Sequence, residues 1–457
     1  MIEIDTKRIE DAIYKLCIKA NTTYDRDLYE QIYQKYLKAT STDLKIKYKN
    51  ILKNIELSLK TKRPLCQDTG QVIVFLEIGQ NVMLCGKQLY DSVNTAVEKA
   101  YVDNFYRKSV VKNALFCREN TKTNTPAILY SDISEGDSIK ISVLIKGAGS
   151  ENYSTLKMFK PTDDWKEIFK FIKESVTNAG EKSCPPLVLG IGAGGTMDSA
   201  AVLSKKAFFC SKNTQSEKDF LRELKHYLKD IDENILDIKL MTNATHIACL
   251  PVALTINCHC TRHASCTITK EETQYQSIEP DIKAKNETED ENTHLKEIFA
   301  VDKEKIKGLK KGEHFLLTGE IYTARDAAHQ KIIEYYEQNK TLPFEIKDKI
   351  IFYAGPCPAA PDEIIGPIGP TTSGRMDKFC EFMHNNGLLA SIGKGERSES
   401  ALKAIQKYEG RYFSAQGGIA CLLKQCVKKS EVTAFEELGT EAVRKLYVEK
   451  LPLTVEI

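Results

Sequence analysis

Eight residues, Arg63-Pro64-Leu65-Cys66-Gln67-Asp68-Thr69-Gly70, constrain this chain more than any other stretch. They set a thiol, an amide, a carboxylate and a hydroxyl side by side, directly ahead of an apolar run, Val72–Leu76, that reads as a buried strand. Pro64 fixes φ and stiffens the approach, and Gly70 lets the backbone turn into the strand. A soft ligand beside hard polar groups at a strand edge is a starting point for a metal site. The competing reading is an inert buried thiol, since free cysteine is among the most buried residue types.

The bulk properties narrow the function classes. A chain of 457 residues corresponds to about two to four domains. A hydrophobic content of 42% and a mean hydropathy of −0.34 suit a globular, enzyme-sized protein with an ample core. The net charge of +2 argues against a nucleic-acid partner or an acidic tail. The start, Met1-Ile2-Glu3-Ile4-Asp5, lacks the basic-then-apolar pattern of a secretory signal. No run reaches the roughly 18 apolar residues of a membrane span. A cytoplasmic location and no membrane partner are therefore expected. Fourteen cysteines are scattered without a disulfide framework; in a reducing compartment most would pack the core and a minority would be ligands.

Apolar spacing predicts helices over the first sixty residues: Ile9, Ala12, Ile13, Leu16 and Cys17, then Leu28, Ile32 and Leu37, then a run over Thr42–Leu59. Leu89–Phe105 reads as a helix with Val93, Ala96, Val97, Ala100 and Tyr101 on one face. Arg107, Lys108 and Arg118 accompany a segment ending in Asn120–Pro126, as a solvated loop or an anion site. Ile139–Ile145 is a strand, and the following Lys146–Asn152 is either a turn or a set of backbone N–H groups aimed at an anion. Cys184-Pro185-Pro186 leads through Leu187–Leu189 into Gly190-Ile191-Gly192-Ala193-Gly194-Gly195 and a helix over Ser199–Phe208. That is the context of a dinucleotide fingerprint, but no acidic residue ends a second strand about 20 residues on. A small-anion site at the helix start is the preferred reading. Val252–Ile256 is a strand followed by Cys258, Cys260 and His263, a spacing too tight for an ordinary zinc knuckle. Residues 271–297 are polar and charged, which makes them a linker between domains at 1–270 and 298–457. In the second half, Phe315–Leu317, Ile321–Tyr322 and Ile350–Tyr353 read as strands, and a helix begins at Ala324–His329. Ile364–Asp377 is a Gly/Pro-rich loop ending in a hydroxyl-rich helix start with Arg375 in its first turn, and Ile392–Arg397 is a basic loop. The tail from Thr433 to Val455 reads as strand, helix, strand.

Together these motifs resemble the class I, iron–sulfur fumarate hydratases, a family that includes tartrate dehydratases. The likeness is carried by Pro64–Gly70, Gly149-Ser150-Glu151-Asn152, Cys184-Pro185-Pro186, Gly192–Thr196, Tyr322–His329 and Gly369–Asp377, and it runs from about residue 5 to the C-terminus. It implies an α/β fold: an N-terminal α/β cluster-binding domain with a helical N-terminal section, and a C-terminal swivelling β/β/α domain.

The resemblance also implies a site. Cys66, Cys184 and Cys258 would hold a [4Fe–4S] cluster, Cys258 being taken over Cys249 and Cys260 because it ends the strand after His246-Ile247-Ala248. Three ligands leave one iron without a protein ligand, free to act as a Lewis acid rather than an electron carrier. Thr371 with Asp68 would be the base pair. Arg107, Arg325, Arg375 and Lys394 would hold the carboxylates of a small dicarboxylate substrate, and Gln67, Gly149 and His246 would line the pocket. Asp68 and Thr371 lie in different halves, so the resemblance puts the site between two domains, in a homodimer. Hydration of fumarate to L-malate is the leading activity. Tartrate or mesaconate on the same fold, and a catalytically silent iron or oxygen sensor, are the alternatives.

Overall fold

The computed structural model describes residues 1–210, 212–277, 279–280, 282 and 295–457; twelve consecutive residues of the expected linker, 283–294, lie outside them. The chain forms two compact units, Met1–Ile32 with Asp68–Pro280, and Tyr33–Gln67 with Asp281–Ile457. The backbone passes from one to the other between Gln67 and Asp68, inside the polar stretch 63–70. Both units combine helices with sheets, as expected for the α/β class.

The first sixty residues are helical where the spacing says so, over Thr6–Thr22, Arg26–Lys38 and Thr42–Thr61. A short strand, Ile2–Asp5, precedes them and pairs in parallel with Val82–Cys85. Asp5 caps the first helix, its side chain accepting the Lys7 N–H (2.8 Å).

The first unit contains a five-stranded sheet in the order Thr273–Tyr275, Arg262–Ile268, Ile139–Lys146, Gln71–Gly79, Ile128–Ser134. The helices Thr6–Thr22 and Leu89–Asp103 cover it: Ile9, Ile13 and Leu16 from one, and Val93, Val97 and Tyr101 from the other, share a core with the sheet. A four-stranded sheet follows, in the order Thr155–Phe159, Leu250–Asn257, Leu187–Gly195, Ile235–Thr245. It shares a core with Ile168, Ile172, Phe220 and Leu224 of the helices Trp165–Ala179 and Gln215–Tyr227.

The glycine-rich strand has a different purpose from the one its spacing suggests. A Cβ at Gly190 would lie 2.2 Å from the Ser204 carbonyl oxygen, and one at Gly192 would lie 2.3 Å from that of Ala200. The glycines let the helix Met197–Lys206 lie directly on the strand. The helix start is also filled from within: Ser199 Oγ accepts the Thr196 N–H (2.7 Å), and Asp198 bonds the Thr196 hydroxyl (2.5 Å). A carboxylate of the chain itself already sits at the positive end, so the small-anion reading of this turn gives way to packing.

The second unit has a seven-stranded sheet in the order Lys296–Phe299, His314–Thr323, Ile350–Phe352, Ala390–Gly393, Arg411–Ser414, Val443–Val455, Val427–Ala434. Four of these, His314–Thr323 through Arg411–Ser414, are parallel neighbours. The connections between them carry the helices Asp326–Asn339, Asp377–Asn385 and Glu399–Lys407, as parallel crossovers require. Val443–Val455 runs antiparallel to both Arg411–Ser414 and His314–Thr323 and so closes five strands on themselves. The two strands expected at 315–317 and 321–322 are one, with a register shift between Leu317 and Gly319. The helix expected in the tail is replaced by a 3-10 segment, Glu436–Glu441, broken by Gly439 at φ 60°.

The packing at Gly192 sets an expectation. Gly192→Ala should lower stability by about 1–3 kcal/mol through overpacking, seen as a lower urea midpoint at unchanged slope. An unchanged midpoint would mean that the helix can move off the strand freely.

Candidate active site

In the first unit Arg107 and the turn that carries Gly149 meet Asp68. Its Oδ2 accepts the Ala148 N–H (2.9 Å) and its Oδ1 the Gly70 N–H (3.2 Å). Arg107 Nη2 stands 3.3 Å from Oδ1. Arg262 Nη1 donates to the Asp68 carbonyl at 2.5 Å. Gly70 makes the expected turn with φ +65°. Thr69 Oγ1 donates to the Arg107 carbonyl (2.7 Å), and the Tyr101 hydroxyl donates to the Thr69 carbonyl. The short turn Ala148–Glu151 that faces Asp68 carries Gly149. Burial alone would push the Asp68 carboxyl up; the Arg107 and Arg262 charges and the two N–H donors outweigh it and hold the group below its ordinary value. Asp68 is a fixed negative charge.

The segments of the two candidate cysteines of this unit, Cys184 and Cys258, are joined through the backbone. The His259 N–H meets the Cys184 carbonyl (3.4 Å), which joins the segment of Cys184 to that of Cys258. Cys184 is buried and has φ 58°, a left-handed conformation uncommon for a residue with a side chain. Cys258 directly follows the strand Leu250–Asn257. A hydrogen bond from Cys260 draws its thiol well below the ordinary value against the opposing effect of burial, helped by His259, Arg262 and Lys146. Thiolate character is what a metal ligand needs. Lys146 is buried, bonds Ser150 Oγ (2.8 Å) and the Ile256 carbonyl (2.7 Å), and is pushed down to about 8 by that burial. His246 lies on the exposed loop after Ile235–Thr245, where its Nδ1 accepts the Ala248 N–H (3.1 Å). Among the described residues, no three His, Cys, Asp or Glu side chains form a ready-made metal cage. The donor chemistry of Cys184 and Cys258 nevertheless suits a soft metal.

Cys66 and Gln67 belong to the second unit. Asn54, on the helix Thr42–Thr61, anchors their segment by donating to the Leu65 carbonyl (3.0 Å) and accepting the Leu422 N–H (3.1 Å). The Cys66 thiol lies 3.4 Å from Gln67 Oε1, and Gln67 Nε2 donates to the Pro370 carbonyl (3.4 Å). A Cβ on Gly369 would come within 2.4 Å of Gln67 Oε1, so a larger residue there would displace the Gln67 amide. Thr371 donates its N–H to the Tyr353 carbonyl (2.7 Å) and accepts that of Lys394 (3.2 Å). Arg375 grips Asp326 with Nε (2.9 Å) and Nη2 (2.7 Å), and Arg325 Nη2 stands 3.2 Å from Glu441. Thr371 and Lys394 are thus adjacent, while Arg325 and Arg375 flank Asp326. A cleft of about 490 Å³ elsewhere in this unit, lined among others by Lys53, Leu57 and Cys426, includes none of the candidate residues.

Arg262, Lys146 and Asp326 carry no assigned role in the sequence reading. Arg262 had a signal. It alternates in register with Ala264, Cys266 and Ile268, all buried, so it is an arginine at an inward position of an apolar strand face.

Two family models match the chain: Fumarate hydratase (Fumerase) over residues 10–267, and Fumarase C-terminus over residues 266–457. "Fumarate hydratase class I, anaerobic" of Escherichia coli (strain K12) is 29% identical over 439 residues, covering 88% of this chain and 79% of the relative. "Fumarate hydratase 1, mitochondrial" of Leishmania major is 28% identical over 452 residues with the same shares. A Methanocaldococcus jannaschii chain provisionally named L(+)-tartrate dehydratase subunit alpha is 36% identical over 279 residues, 56% of this chain and 96% of that one.

The Asp68 environment makes stability depend on pH with a defined sign. A lowered carboxyl stabilises the fold fully above its ordinary value of 3.8, and that contribution is lost as pH falls through the lower folded value. Arg262→Met should raise the Asp68 group back toward the ordinary value. Its loss of stability in urea denaturation should then be largest near neutral pH and narrow below about pH 3. A loss that is constant with pH would mean that Arg262 does not stabilise this charge.

Proposed function

Because the chain belongs to the fumarate hydratase family and is a hydro-lyase, we propose that it interconverts fumarate and L-malate, with Asp68 and Thr371 handling the proton. The observation that carries this reading is the match of the two fumarate hydratase family models over residues 10–267 and 266–457.

Removing water from malate requires a base at the carbon next to a carboxylate, stabilisation of the charge that spreads into that carboxylate, and an acid at the hydroxyl. The Thr371 hydroxyl is a poor base by itself. The ionised Asp68 draws its proton and so activates it, and in the hydration direction the proton returns to carbon by the same route. Arg107, Arg325, Arg375 and Lys394 hold the substrate carboxylates and the developing charge. The fork that Arg375 presents to Asp326 is the geometry suited to a carboxylate. Gln67, Gly149 and His246 line the pocket.

Cys66, Cys184 and Cys258 would hold a [4Fe–4S] cluster with one iron open, which when bound supplies a Lewis acid for the substrate hydroxyl. The lowered Cys258 thiol and the strained backbone of Cys184 support this ligand set. L-Tartrate is the second substrate reading, favoured by the M. jannaschii relative. That similarity covers 56% of this chain, whereas the relatives named for fumarate cover 88%, so fumarate leads. No described helix is long and apolar enough to cross a membrane. A cytoplasmic homodimer accompanies the family reading.

Anaerobic reconstitution followed by assay tests the proposal. The protein should carry about four irons and four sulfides per chain. Its kcat/KM for fumarate should exceed that for tartrate or mesaconate by about tenfold or more. Thr371→Ala should lose about 10²–10⁴ in kcat while keeping its iron. Absence of iron and sulfide, or a preference for tartrate, would overturn the reading.

A further inference from the structure

Behind the loop that carries Thr371 lies a buried polar cluster that this chemistry does not use. The Arg397 side chain is 0% exposed. Its guanidinium sits 5.5 Å from the ring centre of Tyr353 and 5.1 Å from that of Tyr412. Nε donates to Asp377 Oδ1 (2.6 Å) and Nη1 to Ser391 Oγ (3.2 Å). A guanidinium taken out of water is costly unless its surroundings hold it in place, and here it is wedged between two aromatic faces.

Both tyrosines connect onward to the candidate loops, Tyr353 by its backbone and Tyr412 by its hydroxyl. The Tyr353 carbonyl accepts the Thr371 N–H (2.7 Å). The Tyr412 hydroxyl donates to the Gly395 carbonyl (2.6 Å) and is hydrogen-bonded to Ser373 Oγ (2.9 Å). Ser373 lies two residues after Thr371, and Gly395 directly follows Lys394. The Ser373 N–H in turn donates to the Lys394 carbonyl (2.9 Å). A phenylalanine at 412 would fill the same space and stack equally well on Arg397. What the tyrosine adds is one oxygen, and both of its hydrogen bonds go to the two candidate loops.

We propose that Tyr412 is a positioning residue for the hydro-lyase reaction: its hydroxyl ties Ser373 to Gly395 and so fixes Thr371 relative to Lys394, while Arg397 holds the ring. This inference rests on the reading of Thr371 as the proton-handling residue. Burial pushes the Tyr412 phenol up, so it keeps its proton throughout the working range and its contribution is geometric.

Tyr412→Phe in the reconstituted full-length protein is the test, with far-UV circular dichroism and Tm verifying that the variant folds. Its kcat on fumarate should fall about tenfold or more with KM within about threefold, because small misplacements of reacting groups cost rate rather than binding. The loss should be equal across the active pH range. Amide hydrogen exchange should speed up at residues 371–375 and 393–396 and not in the other parallel strands. Ser373→Ala should show a similar loss, and the double variant should lose little more than either single one. An unchanged kcat with unchanged exchange, or losses that multiply, would overturn the role of Tyr412. If the parent does not hydrate fumarate, the functional reading has failed, and exchange at the two loops still decides whether Tyr412 ties them. If Thr371→Ala is inactive while Tyr412→Phe turns over normally, only the inference fails.

Discussion

A carboxylate whose side chain is only 20% exposed, as that of Asp68 is, has to be compensated where it stands. At Asp68 the compensation comes from separate parts of the chain: Arg107 after one helix, Arg262 at the head of a strand, Ala148 in a one-turn helix, and the Gly70 N–H of its own turn. Removing any one of them leaves a charge less well balanced. The organisation of the first unit around residues 68–70 therefore follows from electrostatics. The apolar strand Gln71–Gly79 and the helices that cover it supply the framework on which those donors converge. Arg262 also acts on Cys258, so one buried cation biases both the carboxylate and the candidate ligand toward their charged forms.

The second unit solves a different problem, which is to hold polar loops in register over a closed sheet. Arg325 comes just after His314–Thr323, Lys394 just after Ala390–Gly393, and Thr371 pairs with Tyr353 just after Ile350–Phe352. Three neighbouring parallel strands thus deliver candidate residues at their carboxyl ends, where ligands of α/β sheets collect. The backbone ladder between Thr371 and Lys394, fastened from behind by Tyr412, makes the geometry a property of the sheet more than of loose loops.

Much of this was legible in the sequence. Spacing located the helices Thr6–Thr22 and Leu89–Asp103 because a single face of each is apolar and that face is buried. Periodicity says which face is covered but not by what. It therefore could not reveal that Tyr33–Gln67 packs with the C-terminal half, where Asn54 reaches Gly418 and Leu422. The glycines at 190 and 192 match part of a dinucleotide fingerprint, yet their cause is a helix 2.2–2.3 Å from an added Cβ, a tertiary fact. In the tail, helix-favouring residues 436–441 lost to Gly439 and to the pull of two long antiparallel strands. Motifs singled out candidate residues such as Asp68 and Thr371. They passed over Arg262 and Tyr412, whose hydrogen bonds to Asp68 and to Ser373 and Gly395 join positions distant in sequence.

The account stands or falls on Asp68 as the charge that drives proton transfer, and Asp68→Asn tests it with little change of shape. In the anaerobically reconstituted protein, kcat on fumarate should fall by about 10²–10⁴, with KM within about threefold and iron content unchanged. Turnover within about twofold of the parent, at full iron content, would contradict it.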